Sequence, residues 1–233
     1  MEFSKTVAIH QPNFIPWIGY FYKVVKSDAF VILDDVQYTK NSFINRNRIK
    51  TAQGELWATL PVKMSGKFGQ SIIEARIHNK TENVTKLLKT IEGSYKKADY
   101  FDDYFKQFRD LMENTGDNLL DVNMELLSWL FKILDIRVPV VRSSQMDCAD
   151  IRSTERLVMI CKKLNASAYL SGFGGVKYQE EEVFGQNNIK LLTTDFKHPV
   201  YKQLWSDFIP NMSILDLLFN CGPASVGLLK NSR

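Results

Sequence analysis

The first 33 residues carry the pattern that most limits the fold. The run Thr6–Ile9 is apolar and rich in β-branched residues, which predicts a buried strand. Pro12 and Pro16 exclude a helix from the segment that follows, and an apolar helix is then expected from about residue 17 to about residue 26. Phe30–Leu33 reads as a second apolar strand. This order predicts a right-handed βαβ unit whose two parallel strands are buried on both faces.

The middle of the chain has a different character. Residues 49–62 predict a hairpin, because Gln53-Gly54 separates two strand-like runs, and Ile72–Ile77 predicts a further strand. Apolar residues at helical spacing then predict a helical insert over residues 81–134, with breaks at Gly93 and Gly116.

The α/β pattern returns after the insert. Strands are predicted at residues 138–141, 168–170 and 189–192, and helices from Ser153 to Leu164 and onward from Ser213, each serine acting as an N-cap. The predicted fold class is α/β, with a mainly parallel, Rossmann-like sheet, a small β-hairpin region and the helical insert. We expect residues 1–233 to form a single domain.

Composition excludes several classes of protein. Hydrophobic residues make up 45% and charged residues 24% of the chain, which is typical of a globular protein rather than a disordered or fibrous one. Cys148, Cys161 and Cys221 form no C-x-x-C pair, so neither a structural zinc site nor a disulfide framework is expected. No secretory signal and no run of about 18 apolar residues is visible. These features predict a cytoplasmic protein without a membrane span.

Polar side chains follow the first two predicted strands, where ligands bind in parallel sheets. His10 ends the first strand, and an imidazole can exchange a proton near neutral pH. The loop and helix after it add two amides and two aromatic rings that suit substrate binding: Gln11, Asn13, Trp17 and Tyr20. Asp34 and Asp35 end the second strand, where one of them is expected to face the site and orient a hydroxyl or the imidazole.

The segment from Lys40 to Lys50 is the most basic part of the chain. It holds four cations and no acid, which equals the whole net charge of +4. Arg46 and Arg48 share a face if the backbone is extended, and two guanidinium forks suit phosphate oxygens. Asn45 and Asn47 lie between them and suit sugar or base hydroxyls. A loop that binds a small phosphorylated ligand is therefore predicted, rather than a nucleic-acid-binding face.

Two later segments add candidates. Ser171-Gly172-Phe173-Gly174-Gly175 follows a predicted strand, and a glycine-rich turn there lets backbone N–H groups approach a phosphate, so Ser171 and Gly172 are predicted to bind substrate. A plain tight turn explains the same residues. His198 lies on a later polar loop and is the reserve candidate for the catalytic histidine.

A short segment indicates an alternative function. Lys63-Met64-Ser65-Gly66-Lys67 resembles the lysine–serine loop with which class I synthetases and related nucleotidylyl transferases hold ATP. The chain lacks their H-x-G-H motif, and the segment comes before the helical insert rather than after it. An ATP-dependent enzyme that transfers a nucleotidyl group or activates a carboxylate remains the alternative to the functional hypothesis that closes this section. A non-catalytic module that binds RNA or another ligand is the second alternative.

Nearly the whole chain resembles the WbqC-like protein family, although the helical insert carries little of its signature. The resemblance rests first on the segment from His10 to Phe21, on Leu33-Asp34-Asp35-Val36-Gln37-Tyr38 and on Asn45-Arg46-Asn47-Arg48. Residues 169–172, 198–201, 213–220 and 222–223 agree as well. Members occur in bacterial gene clusters for O-antigen and other surface polysaccharides. They are described as glycine or acyl-group transferases acting on amino sugars, so the resemblance implies a pathway more firmly than a reaction.

These observations combine into one functional hypothesis. The chain is predicted to be a transferase that moves an acyl or glycyl group from a small donor to an amino sugar, carried on a nucleotide. Lys40, Arg46 and Arg48 would hold the diphosphate, and His10 would act as the general base. No metal-ligating residues are predicted, and the sequence leaves the cofactor and any requirement for a metal or ATP open. The sequence leaves open the donor, the exact sugar and whether the protein forms an oligomer.

Overall fold

The fold is built on a sheet of five parallel strands. The computed structural model describes residues 5–64, 69–172, 174–175, 179–205 and 207–232. The strands in chain order are β1 (Thr6–His10), β2 (Ala29–Ile32), β3 (Arg46–Thr51), β4 (Gly54–Thr59), β5 (Val140–Arg142), β6 (Ala168–Ser171) and β7 (Lys190–Thr193). The large sheet has the order β5-β2-β1-β6-β7, and β3 and β4 form a separate antiparallel hairpin.

Helices lie on both faces of the sheet. They are α1 (Ile18–Val25), α2 (Lys80–Tyr95), α3 (Phe101–Asn114), α4 (Leu119–Ile133), α5 (Ser153–Lys163), α6 (Glu181–Gln186), α7 (Ile214–Cys221) and α8 (Ala224–Lys230), with a 3₁₀ turn at Ser143–Gln145. No described helix is both long enough and apolar enough to cross a membrane. The predicted α/β class with a parallel sheet is confirmed.

Alternation along the central strands divides the core into two layers. Val7 and Ile9 of β1 pack with residues of α5 and α6, such as Ile160 and Phe184, on one face. Ala8 points to the opposite face, where α1, α4 and α7 cover the sheet. Because both faces are covered, the strands are continuous apolar runs, as expected for a parallel sheet.

The strands that follow β1 in the chain are added first to one side of it and then to the other. The chain proceeds from β1 to β2 and β5 on one side, and it then crosses to β6 and β7 on the other. Strands β1 and β6 are therefore neighbours that send their connections in opposite directions. Such a position opens a crevice at the carboxyl ends of the strands, where α/β proteins bind ligands.

The predicted strand at Ile72–Ile77 is wrong. Isolated bridges, not a strand, connect this segment to its neighbours. Its backbone turns on itself, since the N–H of Glu74 donates to Ser71 and that of Ala75 donates to Ile72. Both isoleucines are buried, so they anchor an irregular segment rather than one side of a sheet.

Several element boundaries also differ from expectation. Gly93 lies inside α2, so the predicted helix break there is wrong, whereas Gly116 does separate α3 from α4. Arg46–Lys50 belong to strand β3 and are not a loop. Ser213 is confirmed as the N-cap of α7, with its side chain accepting from the N–H of Leu215. Helices α6 and α8 were not expected.

Candidate functional site

A cavity of about 660 Å³ opens at the reversal point between β1 and β6. It brings together the predicted residues of the first loop with those that end β6. The predicted residues in its wall are His10, Gln11, Asn13, Trp17, Tyr20, Ser171 and Gly172. They meet because the carboxyl ends of parallel strands lie at one edge of the sheet. This cavity is the candidate functional site.

Lys23 lies in the wall of this cavity and was not among the predicted residues. Its side chain projects from α1 toward the sheet, and its Nζ donates to the carbonyl of Ile9 at 2.7 Å. Only 5% of the residue is exposed, and no carboxylate pairs with the ammonium within the described part of the chain. Burial lowers the pKa of the Lys23 amine to about 7. The amine is therefore neutral in a large fraction of molecules near physiological pH.

His10 is held as a neutral imidazole beside this lysine. Its Nδ1 lies 3.1 Å from the carbonyl oxygen of Gln11, which can only accept, so Nδ1 carries the proton. Its Nε2 has no hydrogen-bond partner among the described residues and is left as an acceptor. Burial and the nearby Lys23 charge lower the pKa of His10 to about 3. A base this weak suits hydrogen bonding to a ligand better than proton removal at neutral pH.

Aromatic rings close one side of the cavity. Tyr20 packs edge-on against His10 with ring centroids 4.9 Å apart, and its hydroxyl donates to the Gln11 carbonyl at 3.3 Å. Trp17 packs edge-on against Phe196 at 5.2 Å. Tyr20 is almost fully buried, whereas Trp17 is half-buried. Trp17 is therefore the ring better placed to stack on a ligand.

Gly19 makes room for Trp17. A Cβ atom at Gly19 would lie 2.3 Å from the Trp17 ring, so even alanine cannot fit unless the indole moves. We expect Gly19→Ala to displace Trp17, to lower the free energy of unfolding by about 1–3 kcal/mol and to shift the tryptophan fluorescence. Gly93→Ala is the control, because nothing lies within 4 Å of its Cβ inside α2, and it should be neutral or stabilising by up to about 1 kcal/mol. Equal urea midpoints for the two variants would contradict this packing.

The two aspartates that follow β2 have separate environments. Asp34 is fully buried, accepts from Arg142 Nε at 2.5 Å and from Ser143 and Ser144, and does not line the cavity. Asp35 binds Arg156 Nη2 through both carboxylate oxygens, at 2.6 and 2.7 Å. Burial raises the pKa of Asp35, but hydrogen bonds from Ser143 and Arg156 outweigh it and hold the pKa below its usual value. Asp34 is thus surrounded by protein, and Asp35 lies in the wall of a neighbouring cavity.

His198 lies behind Trp17 rather than in the cavity wall. Its ring stacks on Trp17 with centroids 6.4 Å apart. Its Nε2 accepts from the N–H of Asn211 at 3.0 Å, and its Nδ1 lies 2.8 Å from the carbonyl oxygen of Pro199. Both ring nitrogens are therefore engaged by the backbone, and neither is free to accept a proton from a ligand.

The basic segment does not form one cluster, and none of its candidates lines the cavity. Lys40 is exposed, Arg46 lies 4.1 Å from the centre of the Trp57 ring, and Arg48 pairs with Glu55 at 2.6 Å. These arginines share a face of β3, but each of them contacts another side chain of the protein.

The asparagines between the arginines are buried and support the backbone. The side-chain amide of Asn45 donates to Leu60 at 2.9 Å, and that of Asn47 donates to Ile15 at 2.9 Å. Asn45 therefore joins the two ends of the hairpin to each other, and Asn47 joins the hairpin to the loop after β1. Their predicted roles in sugar binding stay predictions.

The turn after β6 forms the other side of the cavity. Gly172, Gly174 and Gly175 line it, while Phe173 lies outside the described residues. A Cβ at Gly175 would lie 2.8 Å from the hydroxyl of Ser171 and 2.8 Å from the side-chain amide of Gln179, so a larger residue there would have to displace both side chains. Of the segment that resembles an ATP-binding loop, only Lys63 and Met64 are described.

Comparison with known proteins agrees with the sequence resemblance. Residues 11–227 match the model of the WbqC-like protein family, and within the described residues no cluster of three metal-ligating side chains accompanies the site. An uncharacterized protein of Mycobacterium tuberculosis is 38% identical over 231 residues, which covers 98% of this chain and 99% of that protein. No solved structure matches the chain. The chain belongs to the WbqC-like protein family.

Proposed function

We propose that the chain is an enzyme that transfers an acyl or aminoacyl group to the amino group of a nucleotide-linked sugar, in the synthesis of a bacterial surface polysaccharide. The observation that carries the proposal is the position of Lys23, a buried amine in the wall of a cavity at the reversal point of a parallel sheet. The cavity volume of about 660 Å³ suits a small ligand such as a sugar with its attached group. The family resemblance supports the substrate class.

Transfer to an amino sugar requires removal of a proton from the sugar's ammonium group. Neutral Lys23 is the base that the cavity offers, because its pKa of about 7 lies close to the working pH. The free sugar amine then attacks the carbonyl carbon of the donor and a new C–N bond forms. The bond to the donor's leaving group breaks, and that group departs with the second proton of the amine. His10 accepts a hydrogen bond from the sugar through Nε2, and Trp17 covers one face of it.

The direct test is product formation. The purified protein is incubated with nucleotide-linked amino sugars and either acyl-coenzyme A donors or glycine with ATP and Mg²⁺, and the sugar is analysed by mass spectrometry. The proposal expects a mass increase of one acyl or aminoacyl group on the sugar nitrogen. Modification of a sugar without an amino group, or release of pyrophosphate with no change to the amino sugar, would contradict it.

His10 has a separate expectation. Because its Nε2 contacts the ligand without taking the proton, His10→Ala should lower kcat/KM by about 10–100-fold, less than loss of the base. Its neighbour Asn13 is not a suitable control since it lines the same cavity; Glu55→Gln on the hairpin, outside the cavity, is the matched control. A larger loss for His10→Ala than for Lys23→Met would return the role of general base to His10.

A further inference from the structure

A second cavity adjoins the candidate site. It has a volume of about 610 Å³ and lies beyond the carboxyl end of β2. The two cavities share Leu33, Leu157, Gly175 and Gln179 in their walls. They therefore form adjoining halves of one cleft along the carboxyl edge of the sheet. Of the residues that line it, the sequence indicated Asp35 and, in the glycine-rich turn, Gly175 as candidates.

Arg156 is the unusual residue of this second cavity. Its side chain is only 4% exposed, and its ion pair with Asp35 uses Nη2 alone. The Nε and Nη1 atoms are buried and have no hydrogen-bond partner among the described residues. Leaving buried donors of a charged group unpaired costs free energy, so such atoms mark a place where a ligand is expected. Arg156 itself lines the second cavity, and both atoms are shielded from solvent.

The other groups of the cavity favour an anion. Helix α5 begins at its wall, and no described side chain caps the first turn of that helix. The free N–H groups and the dipole of such a helix end attract negative charge. Arg152 also lines the cavity, so the described lining carries two guanidinium groups against the single carboxylate of Asp35.

Gln179 stands where the two cavities meet. Its Nε2 lies 3.3 Å from the hydroxyl of Tyr169, and its Oε1 is buried with no hydrogen-bond partner in the part of the chain that the structure describes. An unpaired acceptor at the junction suits a hydroxyl or N–H donor of the same ligand. A ligand with an anionic group near Arg156 and a hydroxyl near Gln179 would satisfy the unpaired atoms on both sides.

We infer that the second cavity is a binding site for a phosphorylated group, held by Arg156, Arg152 and the first turn of α5, with the rest of that ligand extending past Gln179 into the candidate site. The inference rests on the proposed function only in identifying the phosphate as part of a transferase substrate. The chemistry of the site is the same whether the phosphate belongs to the nucleotide of the sugar or to coenzyme A of the donor.

The test measures binding of inorganic pyrophosphate by calorimetry, in low salt and without any substrate. Arg156→Lys keeps a cation beside Asp35 but removes the fork, and it should weaken binding about 10-fold or more. Arg152→Ala should weaken binding about threefold, because Arg152 is exposed. Arg137→Ala, at an exposed arginine outside both cavities, is the matched control and should bind like the original protein.

Urea midpoints identify a variant that no longer folds. If Arg156→Lys does not fold, the binding affinity of Arg152→Ala still tests the inference. Equal affinities in all four proteins, or no saturable binding in the millimolar range, would overturn the inference. Displacement of pyrophosphate by uridine diphosphate assigns the site to the nucleotide, displacement by coenzyme A assigns it to the donor, and displacement by neither contradicts it. Because no turnover is measured, the result is independent of whether transferase activity is found.

Discussion

Replacing Lys23 with methionine is expected to remove turnover and to make the folded protein more stable. Methionine fills a similar volume but cannot accept the proton of the substrate ammonium, so kcat should fall by about 10²–10⁴-fold. The same change removes a buried amine that has no carboxylate partner in the described structure. At pH 6 we expect the free energy of unfolding to rise by about 2–4 kcal/mol.

The pH dependence of stability follows from the lowered pKa of Lys23. In the unfolded chain the amine has its ordinary pKa of 10.5, whereas in the folded protein the pKa is about 7. Between these values the unfolded chain binds more protons, so the stability of the original protein rises with pH. The advantage of Lys23→Met should therefore be largest below pH 7 and should shrink as the pH rises toward 10.

Turnover should have the matching profile. Since the base acts in its neutral form, kcat should increase as the pH rises through about 7. Lys26→Met is the control, because Lys26 follows the same helix but is exposed, with its Nζ over the ring of Tyr22. Lys26→Met should change neither kcat nor the pH profile. Loss of stability in Lys23→Met at pH 6, or full activity in that variant, would show that Lys23 is a structural residue.

The fold was largely predictable from residues 6–33 because both faces of the sheet are covered. A strand buried on both faces must be apolar throughout, and Thr6–Ile9 and Phe30–Leu33 satisfy this condition. The same rule misleads at Ile72 and Ile77, where buried isoleucines belong to an irregular segment. Burial can be recognised in a sequence from its apolar residues, but the backbone segment with which a strand must pair cannot.

The candidate site was predictable where it depends on topology. His10 and Ser171 lie at the ends of parallel strands, and strand ends must share one edge of the sheet. Lys23 was missed because a lysine on an apolar helix is usually taken as a side chain whose charge reaches water. The sequence did indicate that Lys23 is buried, because it lies in the apolar run Ile18–Val24 of α1, and that helix has no acid to neutralise its charge.

Contacts between distant segments were not predictable. Arg156 meets Asp35 from 121 residues away, and Asn47 holds Ile15 from 32 residues away. No local pattern distinguishes such a buried arginine from the exposed Arg152 in the same segment. The amides of Asn45 and Asn47 looked suited to a ligand because their backbone partners, Leu60 and Ile15, carry no polar side chain that would reveal the contact.

Asp34→Ala is expected to produce the largest loss of stability among the residues predicted to be functional. The Asp34 carboxylate joins the end of β2 to the end of β5, through Arg142 and through the side chains and backbone of the 3₁₀ turn at Ser143 and Ser144. Removing it takes a fully buried acceptor away from the buried Ser143, whereas the exposed Ser144 and Arg142, whose side chain is 35% exposed, can turn to solvent.

We therefore expect the free energy of unfolding to fall by about 2–4 kcal/mol in Asp34→Ala, as measured by urea denaturation. Asp99→Ala is the control, because Asp99 forms an exposed ion pair with Lys202 at 3.2 Å and should cost less than about 1 kcal/mol. Since Asp34 does not line the cavity, the molecules that remain folded should keep their kcat. A large loss of kcat with an unchanged urea midpoint would instead show that Asp34 acts in turnover and not only in holding the ends of β2 and β5 together.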